Sequence, residues 1–187
     1  MIVFDKETDT FYLNTARTTY AMGVWNGEKL IHRYWGKRLV NPLGKTELGD
    51  YVPRTHVAKD LPGGTSDTLP FEYSTYGAAD MRTPSVEFTF SDGSRISRLT
   101  YKDFEISEGK PGLEGLPAVY CEKGDKVETL TVHLADELQS VDIYLSYSVF
   151  EELDAITRSV KIVNRGEKLL LDSVMSATVD FYGMPER

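Results

Sequence analysis

The side chains that could do acid–base or metal chemistry are scattered along the chain. His32, His56 and His133 are its three histidines, with no H-x-E-x-x-H and no Cys/His spacing around them. A zinc-type site, which gathers three or four ligands at short spacings, is therefore not indicated. His32 and His133 fall in strand-like runs, where a surface or sheet-lining histidine is the plainer reading. Glu151, Glu152 and Asp154 cluster between two such runs, and a solvated turn accounts for them better than a carboxylate pair for general acid–base work. Gly63-Gly64 is followed by neither a strand-to-helix change nor a Lys-Thr pair, so it does not read as a phosphate cradle. There is no G-x-S-x-G nucleophile elbow. Trp25 and Trp35 end adjacent strand-like runs, and Trp35 opens a long loop. It is placed to stack on a sugar ring, although a structural role in the sheet is the plainer reading. Arg158 interrupts an apolar face and needs a partner, because an unpaired buried charge is costly; a structural ion pair is expected. No catalytic residue, metal or cofactor is expected in this chain.

The elements that would position these residues are strands. Period-two alternation dominates, and no helical stripe of useful length appears. Short runs fall at Phe11–Asn14, Thr18–Trp25 and Lys29–Trp35, the last two separated by Asn26-Gly27. That dipeptide is the strongest short hairpin signal, since both turn residues must tolerate positive φ. Val86–Phe90 and Arg95–Ile106 flank Ser91-Asp92-Gly93-Ser94, which reads as another hairpin turn. Leu130, Val132 and Leu134 share one face of a run over 129–134. Val141, Ile143, Leu145, Tyr147 and Val149 share one face of the next, and Ile156, Val160 and Ile162 continue the pattern. A last strand is expected over 169–179. Many strands with short turns predict an all-β, antiparallel sandwich with one face of each sheet buried.

Composition sets the outer bounds. With 187 residues, 41% hydrophobic and 27% charged, one globular domain is expected. A net charge of −8 repels polyphosphates, so nucleic acid is an unsuitable partner. The opening MIVFDKETDT has neither a basic nor an apolar leader region, and no apolar run approaches the ~20 residues of a membrane helix. Cys121 is the only cysteine, which excludes an internal disulfide and fits a reducing compartment; as a lone thiol it reads as a small buried hydrophobe. A cytoplasmic protein without membrane attachment is expected.

Two stretches go beyond a generic sandwich. From Gly36 to Pro70 the strand pattern dissolves among Pro42, Gly44, Gly49, Pro53, Pro62, Gly63, Gly64 and Pro70, and connections this long tend to be functional or disordered. Ser66 to Phe88 then combines Phe71, Tyr73 and Tyr76 with Gly77-Ala78-Ala79, Asp80, Arg82 and Pro84. The three aromatics are expected to pack the long loop onto the sandwich, with Asp80 and Arg82 paired.

These stretches carry a family resemblance. Tyr34-Trp35-Gly36-Lys37, the block Asp67-Thr68-Leu69-Pro70-Phe71-Glu72-Tyr73 with Tyr76-Gly77, Asp80-Met81-Arg82 and Pro84, then Lys110-Pro111, Gly115-Leu116-Pro117-Ala118 and Ile156-Thr157-Arg158-Ser159 occur in order. Together they resemble the N-terminal domain of bacterial α-galactosidases of glycoside hydrolase family 36, over essentially the whole chain. The resemblance implies a galactose-mutarotase-like β-supersandwich over 1–187, incomplete and ending in a cut at Gly183–Arg187. It implies a following (β/α)8 barrel that hydrolyses terminal α-1,6-galactosides, such as melibiose and the raffinose family, with two carboxylates at barrel strand ends. This chain lacks the Lys-Trp-Asp type motif: Trp25 precedes Asn26 and Trp35 precedes Gly36. The fragment itself is therefore expected to be inactive, to pack on its own barrel and to support a homo-tetramer. The resemblance further implies that the loop after Trp35 reaches a neighbouring active site in trans, where Asp50 and Trp35 would contact substrate. A stand-alone carbohydrate-binding or oligomerisation sandwich is the alternative.

Overall fold

The computed structural model describes residues 1–44, 69–78, 83–122 and 124–179. Asp50, most of the 36–70 loop and the Asp80–Arg82 pair lie outside them.

The Asn26-Gly27 turn behaves as its chemistry requires. Asn26 (φ 51°) and Gly27 (φ 70°) both adopt the left-handed region, which matches the right-handed twist of the flanking strands. The turn joins β3 (Thr18–Trp25) to β4 (Lys29–Lys37). With β1 (Ile2–Asp5) and β2 (Thr10–Asn14) they form a four-stranded antiparallel sheet, order β1-β2-β3-β4. The alternating runs further along form a second one, β6-β7-β8-β9, from β6 (Thr100–Glu108), β7 (Val127–Asp136), β8 (Val141–Phe150) and β9 (Ala155–Asn164). A two-stranded sheet pairs β5 (Val86–Thr89) with β10 (Leu170–Val174). No helix occurs among the described residues.

The two larger sheets face each other. Phe11, Leu13, Tyr20 and Met22 of the first pack with Leu130, Val132, Ile143 and Leu145 of the second and with Val86 and Phe88 of β5 in one apolar core. Phe4, Phe11 and Phe104 lock the two sheets together, with ring centroids 4.6–4.8 Å apart. The faces expected for β7 and β8 are the faces buried. The Glu151–Asp154 cluster is a turn, but a docked one. Asp154 accepts hydrogen bonds from the hydroxyls of Thr15 and Thr18 (the latter 3.0 Å) and from the Arg17 amide at 3.3 Å, so it clamps the β8–β9 turn to the β2–β3 turn of the other sheet.

Several expectations are corrected. Val86–Phe90 and the segment after Gly93 do not form a hairpin: the turn is present, but β5 pairs β10 and β6 pairs β7. Between them the Asp136 carboxylate takes hydrogen bonds from Ser97 Oγ (3.0 Å) and the Arg98 amide (2.7 Å). These satisfy the backbone without a partner strand while the chain crosses to the second sheet. The last strand is shorter than 169–179, covering Leu170–Val174, with an irregular register between Leu171 and Ser173. β1 adds a strand that its length alone did not reveal. Tyr76 is 44% exposed, not buried, and lies under Arg95 instead of against the sandwich. Cys121 is half-buried in the β6–β7 connection.

Candidate functional site: a buried carboxylate cluster beside Trp35

The 69–75 segment is stitched into the sandwich by its backbone. The His32 amide donates to the Pro70 carbonyl (2.7 Å), and the Glu72 amide donates to the Leu30 carbonyl (3.0 Å), so the segment adds to the free edge of β4. Thr75 then bridges Val86, and Ser85 donates to the Ser74 carbonyl at 3.0 Å, which carries the segment onto β5. Leu69 and Phe71 cover Ile31 and Trp25 in a second, smaller core, while Tyr73 enters the main one and donates to the Met175 carbonyl at 3.0 Å. Phe71 and Tyr73 thus pack as expected.

The segment bends at Glu72 and Tyr73, and Glu72 as well as Tyr73 points into the sandwich. Its carboxylate is fully buried. Oε2 accepts from Tyr20 Oη at 2.6 Å and Oε1 from Tyr147 Oη at 2.8 Å. Arg158 Nη1 lies 3.3 Å from Oε1, so the expected ion pair of Arg158 is present. Its guanidinium also sits over the rings of Tyr20 (4.4 Å) and Tyr147 (5.1 Å), a cation–π arrangement in a desolvated setting. His32 is 3% exposed, with Nδ1 3.9 Å from Glu72 Oε2 and its ring against Tyr20 at 5.0 Å.

The electrostatics follow from burial plus opposite charge. Burial, then the Glu72 charge, pushes the phenols of Tyr20 and Tyr147 well above their ordinary range. Burial alone would lower the Arg158 guanidinium; the Glu72 carboxylate, followed by the two phenols, outweighs it and raises it. The cluster fixes four side chains from both sheets, Tyr20, His32, Tyr147 and Arg158, around the one carboxylate of the 69–75 segment. The raised phenols and the raised guanidinium hold their protons near neutrality, which suits a cluster that holds a conformation.

Trp35 stands beside this cluster through a bulge. Tyr20 pairs Trp35 and Met22 pairs His32, with the irregularity falling between Ala21 and Met22, so Arg33 is the extra residue of β4. Without it, period two would send residues 32 and 35 to opposite faces. With it, His32 and Trp35 share a face, and the Trp35 ring meets Tyr20 edge-on at 6.1 Å while remaining 48% exposed. A half-exposed indole backed by a buried aromatic is a platform fixed in orientation. Trp25 is instead a packing residue. Of the two residues expected from the sequence to contact substrate, Trp35 lies half-exposed beside this cluster, and Asp50 lies outside the described residues. Glu72, Tyr20 and Tyr147 were not singled out. The one signal was Arg158 on an apolar face, which demanded a buried carboxylate without saying which.

The other polar constellation lies on the outer face of the second sheet. His133 Nε2 is 2.9 Å from Asp142 Oδ1 and Nδ1 is 3.4 Å from Asp103 Oδ2, with the ring stacked on Tyr144 at 4.7 Å. Asp142 is also held by Arg165, Nη2 at 2.7 Å. No group of three or more His, Cys, Asp or Glu side chains is arranged to hold a metal among the described residues.

The profile of the glycosyl hydrolase family 36 N-terminal domain matches residues 28–185. The chain belongs to that family. Among curated relatives, α-galactosidase AgaA of Geobacillus stearothermophilus is 34% identical over 184 residues, covering 96% of this chain and 25% of its own. α-Galactosidase Mel36A of Lactobacillus acidophilus is 31% identical over 189 residues, covering 97% of this chain and 25% of its own. Among solved structures, the family 36 α-galactosidase AgaB of G. stearothermophilus superposes with a TM-score of 0.83 at 32% identity, over 95% of this chain and 24% of its own. A variant of AgaA in complex with raffinose gives 0.84 at 34%, over 92% and 24%. The chain therefore spans about a quarter of the length of the relatives it matches. The all-β supersandwich of the family 36 N-terminal domain is its fold.

Proposed function

We propose that this family 36 N-terminal domain is the non-catalytic accessory domain of a retaining α-galactosidase acting on terminal α-1,6-galactosides of the melibiose and raffinose type. The observation that carries the reading is the match to the N-terminal domain of α-galactosidases over nearly the whole chain but a quarter of each relative. The engagement of the buried carboxylates among the described residues supports it. Glu72 is held by two phenols and a guanidinium, Asp142 by His133 and Arg165, and Asp136 by backbone amides and Ser97. A glycosidase needs one carboxylate free to attack or activate water and another free to protonate the leaving oxygen; these three are committed to structure. Hydrolysis in this reading belongs to a barrel outside this chain.

The domain's share is to pack on that barrel, to support a homo-tetramer and to lend the loop after Trp35 to a neighbouring active site. There Trp35 would stack on a sugar ring and Asp50 would accept hydrogen bonds from sugar hydroxyls. The protein acts in the cytoplasm, without nucleic acid, membrane, metal or cofactor. The test has two parts. This chain alone, followed by light scattering and a chromogenic α-galactoside, should give no turnover above a mock-purified control; turnover would overturn the reading. In the protein that carries this domain with its barrel, Asp50→Ala and Trp35→Ala should each raise KM for raffinose about 5–20-fold, with kcat changed less, as expected for lost ground-state contacts. Unchanged KM in both would remove the loop from the substrate site.

A further inference from the structure

The outer face of the second sheet carries a lattice of hydroxyls that the fold does not use fully. Strand register places Ser146 opposite Ser159 and Ser148 opposite Thr157 on β8 and β9. Neighbouring strands run about 5 Å apart, and same-face residues along a strand are roughly 7 Å apart, so four hydroxyls form a small rectangular floor. Two are engaged by β7: Ser148 Oγ with Thr129 Oγ1 at 2.8 Å, and Ser146 Oγ with Thr131 Oγ1 at 3.3 Å. Thr157 and Ser159, both half-buried, have no hydrogen-bond partner for their hydroxyls among the described residues.

The β6–β7 connection folds over this floor. Gly109 anchors it, its amide donating to the Val127 carbonyl at 2.7 Å and its carbonyl accepting from Thr129 Oγ1 at 2.7 Å. Leu113, Pro117 and Ala118 then roof a cleft of about 170 Å³, with Lys110 also lining it. Arg158 lines it too, but its guanidinium is turned to the opposite face against Glu72. Among the described residues the cleft thus has a hydroxyl floor, an aliphatic roof, one cation and no carboxylate. A cavity of about 150 Å³ holds a six-membered hydrocarbon ring, so this one admits a single ring and not an extended chain.

We infer that this cleft binds one neutral pyranose ring, its hydroxyl edge on Thr157, Ser159 and Ser148 and a C–H face against Leu113 and Pro117. The chemistry is that of small-molecule sites, which combine an apolar wall with few, fixed polar groups. The ring's two-sided polarity matches a pocket with one wet and one dry wall. The site is separate from Trp35 and does not depend on the α-galactosidase reading. With about a dozen heavy atoms and modest efficiency per atom, the expected Kd is on the order of a few millimolar.

The test is a ¹H–¹⁵N NMR titration of the full chain with D-galactose. Saturable shifts confined to 110–119, 146–148 and 157–159 are expected. Thr157→Val/Ser159→Ala removes hydroxyls that hold nothing among the described residues; it should weaken binding at least about fivefold, a single hydrogen bond's worth, without moving the melting temperature. Ala118→Trp fills the cleft and should abolish binding. No saturable shift up to about 50 mM, well above the expected Kd, would overturn the inference. So would an unchanged Kd in the double variant, or shifts confined to the surroundings of Trp35.

Discussion

Glu72→Gln and Arg158→Met, singly and together, probe whether the buried cluster holds the 69–75 segment in the sandwich. At 3.3 Å and an effective dielectric of about 20, the pair attraction is roughly 5 kcal/mol before desolvation is counted. Desolvation offsets much of that, but removal of one partner leaves the other charge buried, which costs about 3–5 kcal/mol. Glu72→Gln strands the guanidinium, whose side chain is only 14% exposed, and leaves Tyr20 or Tyr147 with a weaker acceptor. Arg158→Met removes the guanidinium but keeps both phenol bonds to the Glu72 carboxylate, so it should cost somewhat less than Glu72→Gln. The double variant should cost clearly less than the sum, with a coupling energy of about 2–3 kcal/mol. For a chain of this size a loss of 4 kcal/mol lowers Tm by about 8–16 °C. Urea unfolding at pH 7, followed by far-UV circular dichroism and tryptophan fluorescence, reads both stability and m-value. Single-variant losses below about 1 kcal/mol, or additivity within about 0.5 kcal/mol, would refute the role given to the cluster.

The phenols of the same cluster predict alkaline lability. Their folded pKa values are raised by burial and by Glu72, so the stability they confer is complete below the unfolded pKa of about 10 and declines as pH rises above it. With both phenols still protonated in the fold, their joint slope rises from about 1.4 kcal/mol per pH unit at pH 10 toward about 2.7 above pH 11. The buried Tyr73 phenol, also raised, adds its own share, and Tyr147→Phe should remove about half of the pair's share in denaturant titrations between about pH 10 and 12. On the acid side, hydrogen bonds from Thr15 and Thr18, with Arg17 nearby, hold the Asp154 carboxyl below its ordinary value. Its contribution is present above about pH 4 and fades as pH falls through the lower folded value, so the Tm gap between wild type and Asp154→Asn should narrow on acidification from pH 7 to 3. Gly27→Ala should cost about 1 kcal/mol in the same unfolding assay: a Cβ there meets no atom within 4 Å, so the left-handed φ of 70° is the whole effect.

Alternation and turn chemistry made the strands legible from the sequence. The inward faces of β7 and β8 follow from period two alone, because a single-residue slip would expose every one of those apolar side chains. Asn26-Gly27 announces its hairpin because few other residues tolerate two successive positive φ values. The ordered motifs from Tyr34 to Ser159 carry the family. Strand pairing was not legible where partners are far apart in sequence. β5 joins β10 across about eighty intervening residues, and Ser91–Ser94 makes the same local turn whether or not its flanks pair. The site was half legible: Arg158 required a buried carboxylate, but many acidic residues qualified. Only the docking of the 69–75 segment on β4 brings Glu72 to it, and only the extra residue at Arg33 turns Trp35 and His32 to one face. Local pattern fixes what each strand buries, because burial is read residue by residue. Which distant carboxylate meets which cation is decided by packing, since that choice costs nothing until the two sheets close on each other.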